Sequence, residues 1–287
     1  MIKYSLITLL CSISLFCSSA TIDVRLVINS GSHSLTGGAF VAAKTYSVSN
    51  TFKDNSDIFI WNHDDIINLK VVNLDSEPHG LTIENYVNIG SIPSGDSVSQ
   101  SFTLTEEGVF RYYDPLNSPF NEYLGLSGIV HVKSVLDTSS YFYWDIREID
   151  SSWNELIILN TPPNLVDYDP DYFTLNGVSS PDINLDILAR PTGIVGEEFK
   201  VILVNNGLSI HSMHFHGYHL TIATDSKSPS HVGRSKDTFP LYPREHLVLS
   251  CTPDKPGEYP VHDHNLVAVT GGQEYSTGMF ITILIAE

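Results

Sequence analysis

Cysteine and cationic side chains are both scarce in this chain of 287 residues. Only three cysteines occur, and two of them, Cys11 and Cys17, fall within the first twenty residues. The remainder keeps Cys251 alone, which excludes a disulfide framework, so stability must come from hydrophobic cores. The 15 Lys and Arg residues against 33 Asp and Glu residues give a net charge of −18. An acidic surface repels a phosphate backbone, so the composition argues against a nucleic-acid partner.

Long apolar runs are absent except at the N-terminus. Lys3, the apolar run 6–16 and the small residues 18–20 form the pattern of a secretory signal peptide, which we assign to residues 1–20. The run is too short to span a bilayer, and no later stretch is long and apolar enough to do so. We therefore expect an exported protein, secreted or periplasmic, with no membrane span. Lipidation at Cys17 stays open.

Short β-rich runs separated by turns fill the rest of the chain. Residues 21–28 alternate polar and apolar side chains, as a half-buried strand does. Many short strands without a helical period predict an all-β protein built of antiparallel sandwiches or barrels. We expect one domain at 21–135, a linker at 136–150 that includes an aromatic entry strand at 141–146, and a second domain at 151–287, which starts with a strand near residues 153–159.

The two halves of the chain resemble each other. Residues 72–83 parallel 204–222, and residues 108–115 parallel 257–264, which suggests two copies of one β-sandwich. Coincidence between two all-β domains is the alternative. The alignment places His79 opposite His216. It places Glu77, Tyr113 and Pro115 opposite three further histidines of the second half, so the first half offers only His79 as a candidate metal ligand across a domain interface.

Histidine is concentrated in two H-x-H segments, His214-Phe215-His216 and His262-Asp263-His264, which hold four of the twelve histidines. Both segments lie in sequence typical of strands, where alternate side chains share a face. If the strands are neighbours, four imidazoles converge on one small volume. Imidazole suits Cu and Zn, so the pattern predicts a metal site for either metal. The alternative is a set of surface or hydrogen-bonded histidines without metal.

The same alternation separates His211 and Asp263 from these four histidines. His211 lies three positions before His214, and Asp263 lies between its two histidines, so both side chains point to the opposite face. Two roles are open for this second face. Asp263 can hydrogen-bond to His211 and fix the strand edge, or the two residues can form a weaker metal site with nitrogen and oxygen ligands.

Several motifs of the second half resemble the C-terminal cupredoxin domain of multicopper oxidases. They are His211-Ser-Met-His214-Phe-His216-Gly217, Asp237-Thr238, Leu241-Tyr242-Pro243, the run 256–264, Thr277-Gly278-Met279 and, upstream, the run 171–177. Residues 50–133 resemble a cupredoxin domain more weakly. The resemblance implies two tandem cupredoxin-like Greek-key sandwiches and copper as the cofactor. Two such domains in one exported chain are also similar to two-domain laccases and copper nitrite reductases, which implies a homotrimer as a candidate assembly.

Carried over by position, the resemblance implies that His214, His216, His262 and His264 are ligands of a type 2/3-like copper site. It implies that His211 is the type 1 histidine, and Met279 resembles the axial methionine. The chain departs from the family at Asp263, which replaces the type 1 cysteine, and at Ala268, which stands where a second type 1 histidine belongs. A type 1 centre needs a thiolate, so we expect no type 1 copper.

Three hypotheses follow. The first is an exported copper-binding protein with a histidine-rich site, which would be an oxidoreductase if it is an enzyme. The second is a non-enzymatic cupredoxin-like binding or structural module that retains its histidines by descent. The third is a remnant oxidase that completes its copper cluster by forming a trimer.

Overall fold

The computed structural model describes residues 19–161 and 163–287, so nearly all of the proposed signal peptide lies outside the described residues. The strands of the N-terminal half are β1 (Thr21–Ser34), β2 (Phe40–Ser47), β3 (Phe59–Asn62), β4 (Ile66–Asn73), β5 (His79–Ile83), β6 (Val87–Ile92), β7 (Ser97–Thr103), β8 (Gly108–Tyr113) and β9 (Ser127–Lys133). The strands of the C-terminal half are β10 (Ser140–Ile149), β11 (Tyr172–Leu175), β12 (Thr192–Ile194), β13 (Phe199–Asn205), β14 (His211–Phe215), β15 (Leu220–Asp225), β16 (Ser235–Lys236), β17 (Thr238–Leu241), β18 (His246–Cys251), β19 (Gly257–Asp263), β20 (Thr270–Gly271), β21 (Glu274–Tyr275) and β22 (Phe280–Ala286). The α-helices are α1 (Phe120–Tyr123) and α2 (Ser151–Ile158), and short 3₁₀ helices lie at Thr36–Gly38, Leu165–Asp167, Asp182–Leu185, Pro229–His231 and Leu266–Val269.

The N-terminal half is a sandwich of two sheets. One sheet has the strand order β2-β1-β4-β7 and the other β3-β9-β8-β5-β6. Alternate residues of β1 and β4, such as Ile28 and Leu69, turn inward and meet Leu81 and Val130 from the facing sheet. Burial of these apolar side chains, worth about 25 cal/mol for each Å² removed from water, holds the two sheets together.

The C-terminal half is a second sandwich. Its sheets have the orders β11-β10-β13-β18-β15-β16 and β12-β22-β19-β14-β17. The core between them contains Trp144, Leu203, Leu249 and Ile281, and the indole of Trp144 stacks on Phe215 at a centroid distance of 5.5 Å. The all-β fold expected from the sequence is confirmed.

The two sandwiches meet along the outer face of β10, β13 and β18. Tyr143, Ile202 and Val248 from these strands pack against Val109 and Ile129 of β8 and β9. A buried polar network borders this apolar contact. In it, Arg111 donates to Glu122 at 2.9 Å and to Asn206 at 2.7 Å, and Asn206 donates to Asp145 at 2.8 Å. The network ties both halves into one body.

Two segments differ from the sequence expectations. Residues 153–159 are not a strand, because Asp150 caps a helix there: its carboxylate accepts from the Trp153 amide at 3.0 Å, which starts α2. The entry strand expected within the linker segment is longer than its aromatic run: it forms β10, which pairs in parallel with β13. No described helix combines the length and the apolar character needed to cross a membrane.

The same backbone pattern recurs in both halves. The Asn73 amide donates to the carbonyls of Glu77 and Ile92, and the Asn205 amide donates to those of Ser209 and Leu241. Each asparagine thus donates to a carbonyl four residues ahead and to one on an edge strand of the facing sheet, β6 or β17. The internal similarity of the sequence therefore corresponds to equivalent backbone structure, and the equivalence sets a residue-by-residue register between β5 and β14.

Candidate metal centre

The two H-x-H segments lie on neighbouring strands. β14 pairs with β19 in antiparallel register, with His214 directly opposite His262. Residues 213 and 215 of β14 are buried in the core of the sandwich, so the alternate residues 214 and 216 face outward. His262 and His264 face outward by the same alternation. The adjacency that the sequence hypothesis required is confirmed.

The four rings form one group around His214. Ring centroids lie 4.5 Å from His214 to His216, 5.7 Å to His262 and 5.5 Å to His264. His216 and His262 approach with their Nε2 atoms 3.0 Å apart. His216 and His264 are exposed and the other two are half-buried, so the group opens to solvent. In the described part of the chain, no three His, Cys, Asp or Glu side chains are arranged to hold a metal ion, so the rings are grouped but do not form a ligand cage.

Hydrogen bonds engage the Nδ1 atoms of two of these rings. The Nδ1 atom of His262 lies 2.8 Å from the carbonyl oxygen of Asp263. A carbonyl oxygen only accepts, so Nδ1 carries the proton, and the lone pair on Nε2 of neutral His262 faces Nε2 of His216 at 3.0 Å. The Nδ1 atom of His214 lies 2.8 Å from the hydroxyl of Thr238. Such contacts at the far nitrogen orient metal-binding histidines. Phe280 stacks on the His262 ring, with planes 7° apart.

His211 is held on the opposite face between two buried carboxylates. Its Nδ1 lies 2.7 Å from Asp263 and its Nε2 2.9 Å from Glu148, so both ring nitrogens are engaged. Burial alone would lower the pKa of His211, but the hydrogen bonds to Asp263 and Glu148 outweigh it and raise that pKa to about 9. Burial opposes ionisation of Glu148 as well, yet its hydrogen bond with His211 lowers the pKa of the carboxyl to about 2. The three side chains form a carboxylate–imidazolium–carboxylate triad.

The sequence resemblance assigned His211 and position 263 to a type 1 copper, and the residues of the triad do not fit such a centre. Asp263 is fully buried, and its carboxylate also accepts from the backbone amides of Ser212 at 3.2 Å and Asn265 at 2.8 Å. It supplies no thiolate. Of the other positions, Met279 and Ala268 lie in the hydrophobic core. The expectation that Asp263 bonds to His211 is met, and the weaker metal site considered for this pair has no free ring nitrogen.

His79 belongs to an equivalent triad in the N-terminal half, not to the histidine cluster. Its Nδ1 lies 2.7 Å from Asp114 and its Nε2 2.7 Å from Asp75. His79 is the first residue of β5, and His211 is the first residue of β14. His79 follows Asn73 by six residues, as His211 follows Asn205. The sequence alignment of His79 with His216 is therefore wrong. It followed a shared His-Gly dipeptide, whereas the backbone register pairs His79 with His211.

This register also identifies what the first half carries at the cluster positions. Thr82 of β5 pairs with Tyr113 of β8, as His214 pairs with His262. Thr82 and Tyr113 therefore stand where the second half has two of its four cluster histidines. Sequence reasoning missed Glu148, which β10 brings to His211 from 63 residues away. It also gave no role to Thr238, whose place opposite His214 depends on the pairing of β14 with β17.

Comparison with known proteins agrees with this architecture. Residues 161–284 match the family model of multicopper oxidases. The blue copper oxidase from Nitrosomonas europaea superposes with a TM-score of 0.79 at 20% identity, over 92% of this chain and 86% of that one. The multicopper oxidase mgLAC gives 0.78 at 20% identity, over 93% and 86%. A copper nitrite reductase from Nitrosomonas europaea gives 0.72 at 16% identity, over 93% and 94%. A search of curated proteins finds no match.

The matched residues 161–284 include the whole histidine cluster and Asp263. Copper is the metal that this family implies, and four imidazoles are a donor set that suits it. The family resemblance recognised in the sequence is confirmed. Residues 161–284 match the multicopper oxidase family model, and the chain as a whole has the fold of the multicopper oxidases and the copper nitrite reductase compared above.

Proposed function

We propose that this chain is an exported copper-binding protein with one histidine-rich site and no type 1 copper. The proposed ligands are His214, His216, His262 and His264, which make a site of type 2/3 character. His211 and His79 are left out, because carboxylates engage both nitrogens of each ring. Export rests on the sequence of the first twenty residues.

The observation that carries the proposal is the state of the His214 and His262 rings. Both have Nδ1 directed at an oxygen atom, at 2.8 Å in each case, which leaves Nε2 as the nitrogen for a metal. The neighbouring Nε2 atoms of His216 and His262 are 3.0 Å apart. Two nitrogens bound to one metal at about 2.0 Å each and at right angles to one another would be about 2.8 Å apart. In this contact Nε2 of His216 is the donor, so rotation of the rings together with a shift of the His216 proton to Nδ1 would bring both nitrogens to one ion.

Bound copper would supply one-electron redox chemistry, and the chain's own residues restrict its use. The buried triad at the type 1 position offers no thiolate, so no second copper is available to feed electrons to the cluster. The exposed rings of His216 and His264 leave the metal open to small molecules. We propose an oxidoreductase role in which a small external reductant is the electron source.

A second candidate is a non-enzymatic cupredoxin-like module. It is favoured by the finding that, among the described residues, no three potential ligands are arranged to hold a metal ion. An oxidase that shares its cluster across a homotrimer is less well supported. The N-terminal half would have to supply ligands, and it has Thr82 and Tyr113 where the other half has His214 and His262.

Equilibrium dialysis separates the candidates. Wild-type protein, the His262→Ala/His264→Ala variant and a matched His63→Ala/His231→Ala variant are each dialysed against Cu(II) and against Zn(II), and bound metal is counted by mass spectrometry. His63 and His231 are half-exposed histidines that lie outside the cluster. We expect stoichiometric copper in the wild type and the matched control, and its loss from the cluster variant. Equal metal in all three proteins would reject the proposal. Copper binding should also weaken at low pH, because protonated imidazoles are not ligands.

A further inference from the structure

We propose that Asp237 and Thr238 are positioning residues that hold His214 in one tautomer, with the proton on Nδ1 and the lone pair on Nε2. This inference rests on the copper site proposed above, and it names the side chains that prepare one ligand of that site. Its probe is Cu(II).

Strand pairing places the two residues beside the ring. Thr238 of β17 lies directly opposite His214 of β14. The carbonyl of Asp237 accepts from the amide of Phe215 at 2.7 Å, so the backbone on both sides of the contact is fixed. The Thr238 hydroxyl lies 2.8 Å from Nδ1 of His214 and 3.1 Å from the carboxylate of Asp237. The three groups form a chain from carboxylate to hydroxyl to imidazole.

The proton positions along this chain follow from what each group can donate. An ionised carboxylate has no proton to give, so the hydrogen bond between Asp237 and Thr238 must use the single hydroxyl proton of Thr238. The threonine oxygen is then left as an acceptor towards the ring. Nδ1 of His214 must therefore be the protonated nitrogen, and Nε2 is bare. Without Asp237, the hydroxyl could turn its proton to Nδ1 and favour the opposite tautomer.

The hydrogen bonds from Asp237 through Thr238 to His214 can be removed by mutation, whereas the hydrogen bond that fixes His262 cannot. His262 is fixed by a backbone carbonyl at 2.8 Å, which no side-chain substitution removes. At His214, replacing Thr238 by Val removes the hydroxyl while keeping the β-branched shape. Thr238→Ser keeps the hydroxyl and serves as the conservative rescue, and Thr221→Val on β15 is a control that removes a threonine hydroxyl elsewhere.

The first measurement needs no metal. Long-range ¹H–¹⁵N spectra of ¹⁵N-histidine-labelled protein at pH 8.5, treated with chelator, report which nitrogen of each neutral imidazole carries the proton. We expect His214 of the wild type, the Thr238→Ser variant and the Thr221→Val control to be protonated at Nδ1. The Thr238→Val and Asp237→Asn variants should lose this preference. A wild-type His214 protonated at Nε2, or a Thr238→Val ring unchanged from the wild type, would overturn the inference.

The second measurement is the dissociation constant for Cu(II), by competition with a chromogenic chelator. Loss of a side chain that orients a ligand costs about 10- to 100-fold in metal affinity. We expect that loss for Thr238→Val and less than about threefold for Thr238→Ser. A changed tautomer with unchanged affinity would overturn the positioning role. If wild-type protein binds no copper at the cluster, the proposed function fails, while the spectra of the metal-free protein still decide the tautomer.

Discussion

Replacing His211 by Gln should abolish the loss of stability that the wild-type protein shows as the pH rises from about 6.5 to about 9. His211 is 2% exposed, and its pKa of about 9 in the folded protein exceeds the value of about 6.5 expected when unfolded. Folding therefore favours the protonated ring. The resulting stabilisation is complete below about pH 6.5 and is lost as the pH rises through about 9. A difference of this size corresponds to about 3 kcal/mol in the free energy of unfolding.

The assay is urea unfolding of chelator-treated protein at several pH values from 6 to 9.5, with stability taken from linear extrapolation. Wild-type stability should fall by about 3 kcal/mol more over this range than that of His211→Gln. The variant should also lose about 3 to 5 kcal/mol at pH 6, because Glu148 and Asp263 are left without their cation. If His211→Gln does not fold, Glu148→Gln removes one of the two contacts and should reduce the slope.

His131→Gln is the matched control. His131 is also buried, and burial lowers its pKa to about 4, so it is neutral in the folded protein throughout this pH range. Its removal should alter the change in stability between pH 6.5 and 9 by less than about 0.5 kcal/mol. If wild-type protein and His211→Gln lose stability in parallel over this range, the assignment of a buried imidazolium to His211 is refuted.

Three further outcomes are expected. Gly217→Ala should lower the melting temperature more than Gly196→Ala. Both glycines have a positive φ, so both substitutions strain the backbone. A Cβ at Gly217 would also lie 2.3 Å from the Tyr259 ring, whereas one at Gly196 would meet open space. Asp150→Ala should cost about 1 to 2 kcal/mol in urea unfolding by removing the N-cap of α2, and an unchanged midpoint would contradict that role. Free Cu(II) at a hundred times its dissociation constant should stabilise wild-type protein by about 2.7 kcal/mol in thermal unfolding and leave His262→Ala/His264→Ala unaffected.

Strand alternation was enough to predict the two faces of the histidine segments. It separated the four outward histidines from His211 and Asp263, and the structure places each on the expected side. This worked because the side-chain period of a strand is two and both segments border a buried core. The contact of His211 with Asp263 was one of the two roles that this alternation left open.

Partners that come from distant strands could not be predicted in this way. Glu148 reaches His211 because β10 inserts beside β13 in parallel, and no local pattern encodes that insertion. One feature of the sequence could have indicated this contact: Glu148 follows an aromatic run typical of a buried strand, and a buried charge needs a partner. His79 was misaligned because the dipeptide His79-Gly80 matches His216-Gly217. The equal spacing of His79 from Asn73 and of His211 from Asn205 gives the correct alignment. Helix α2 was predicted as a strand because its apolar residues resemble a buried strand, and Asp150 was not recognised as an N-cap.

The most direct test of the copper site is anomalous diffraction from a crystal of this protein soaked in Cu(II), with data collected on both sides of the copper absorption edge. We expect an anomalous difference peak among the Nε2 atoms of His214, His216, His262 and His264, and none between His211 and Asp263. A copper peak at the His211 triad, or a fully soaked crystal with no peak at the four histidines, would contradict it.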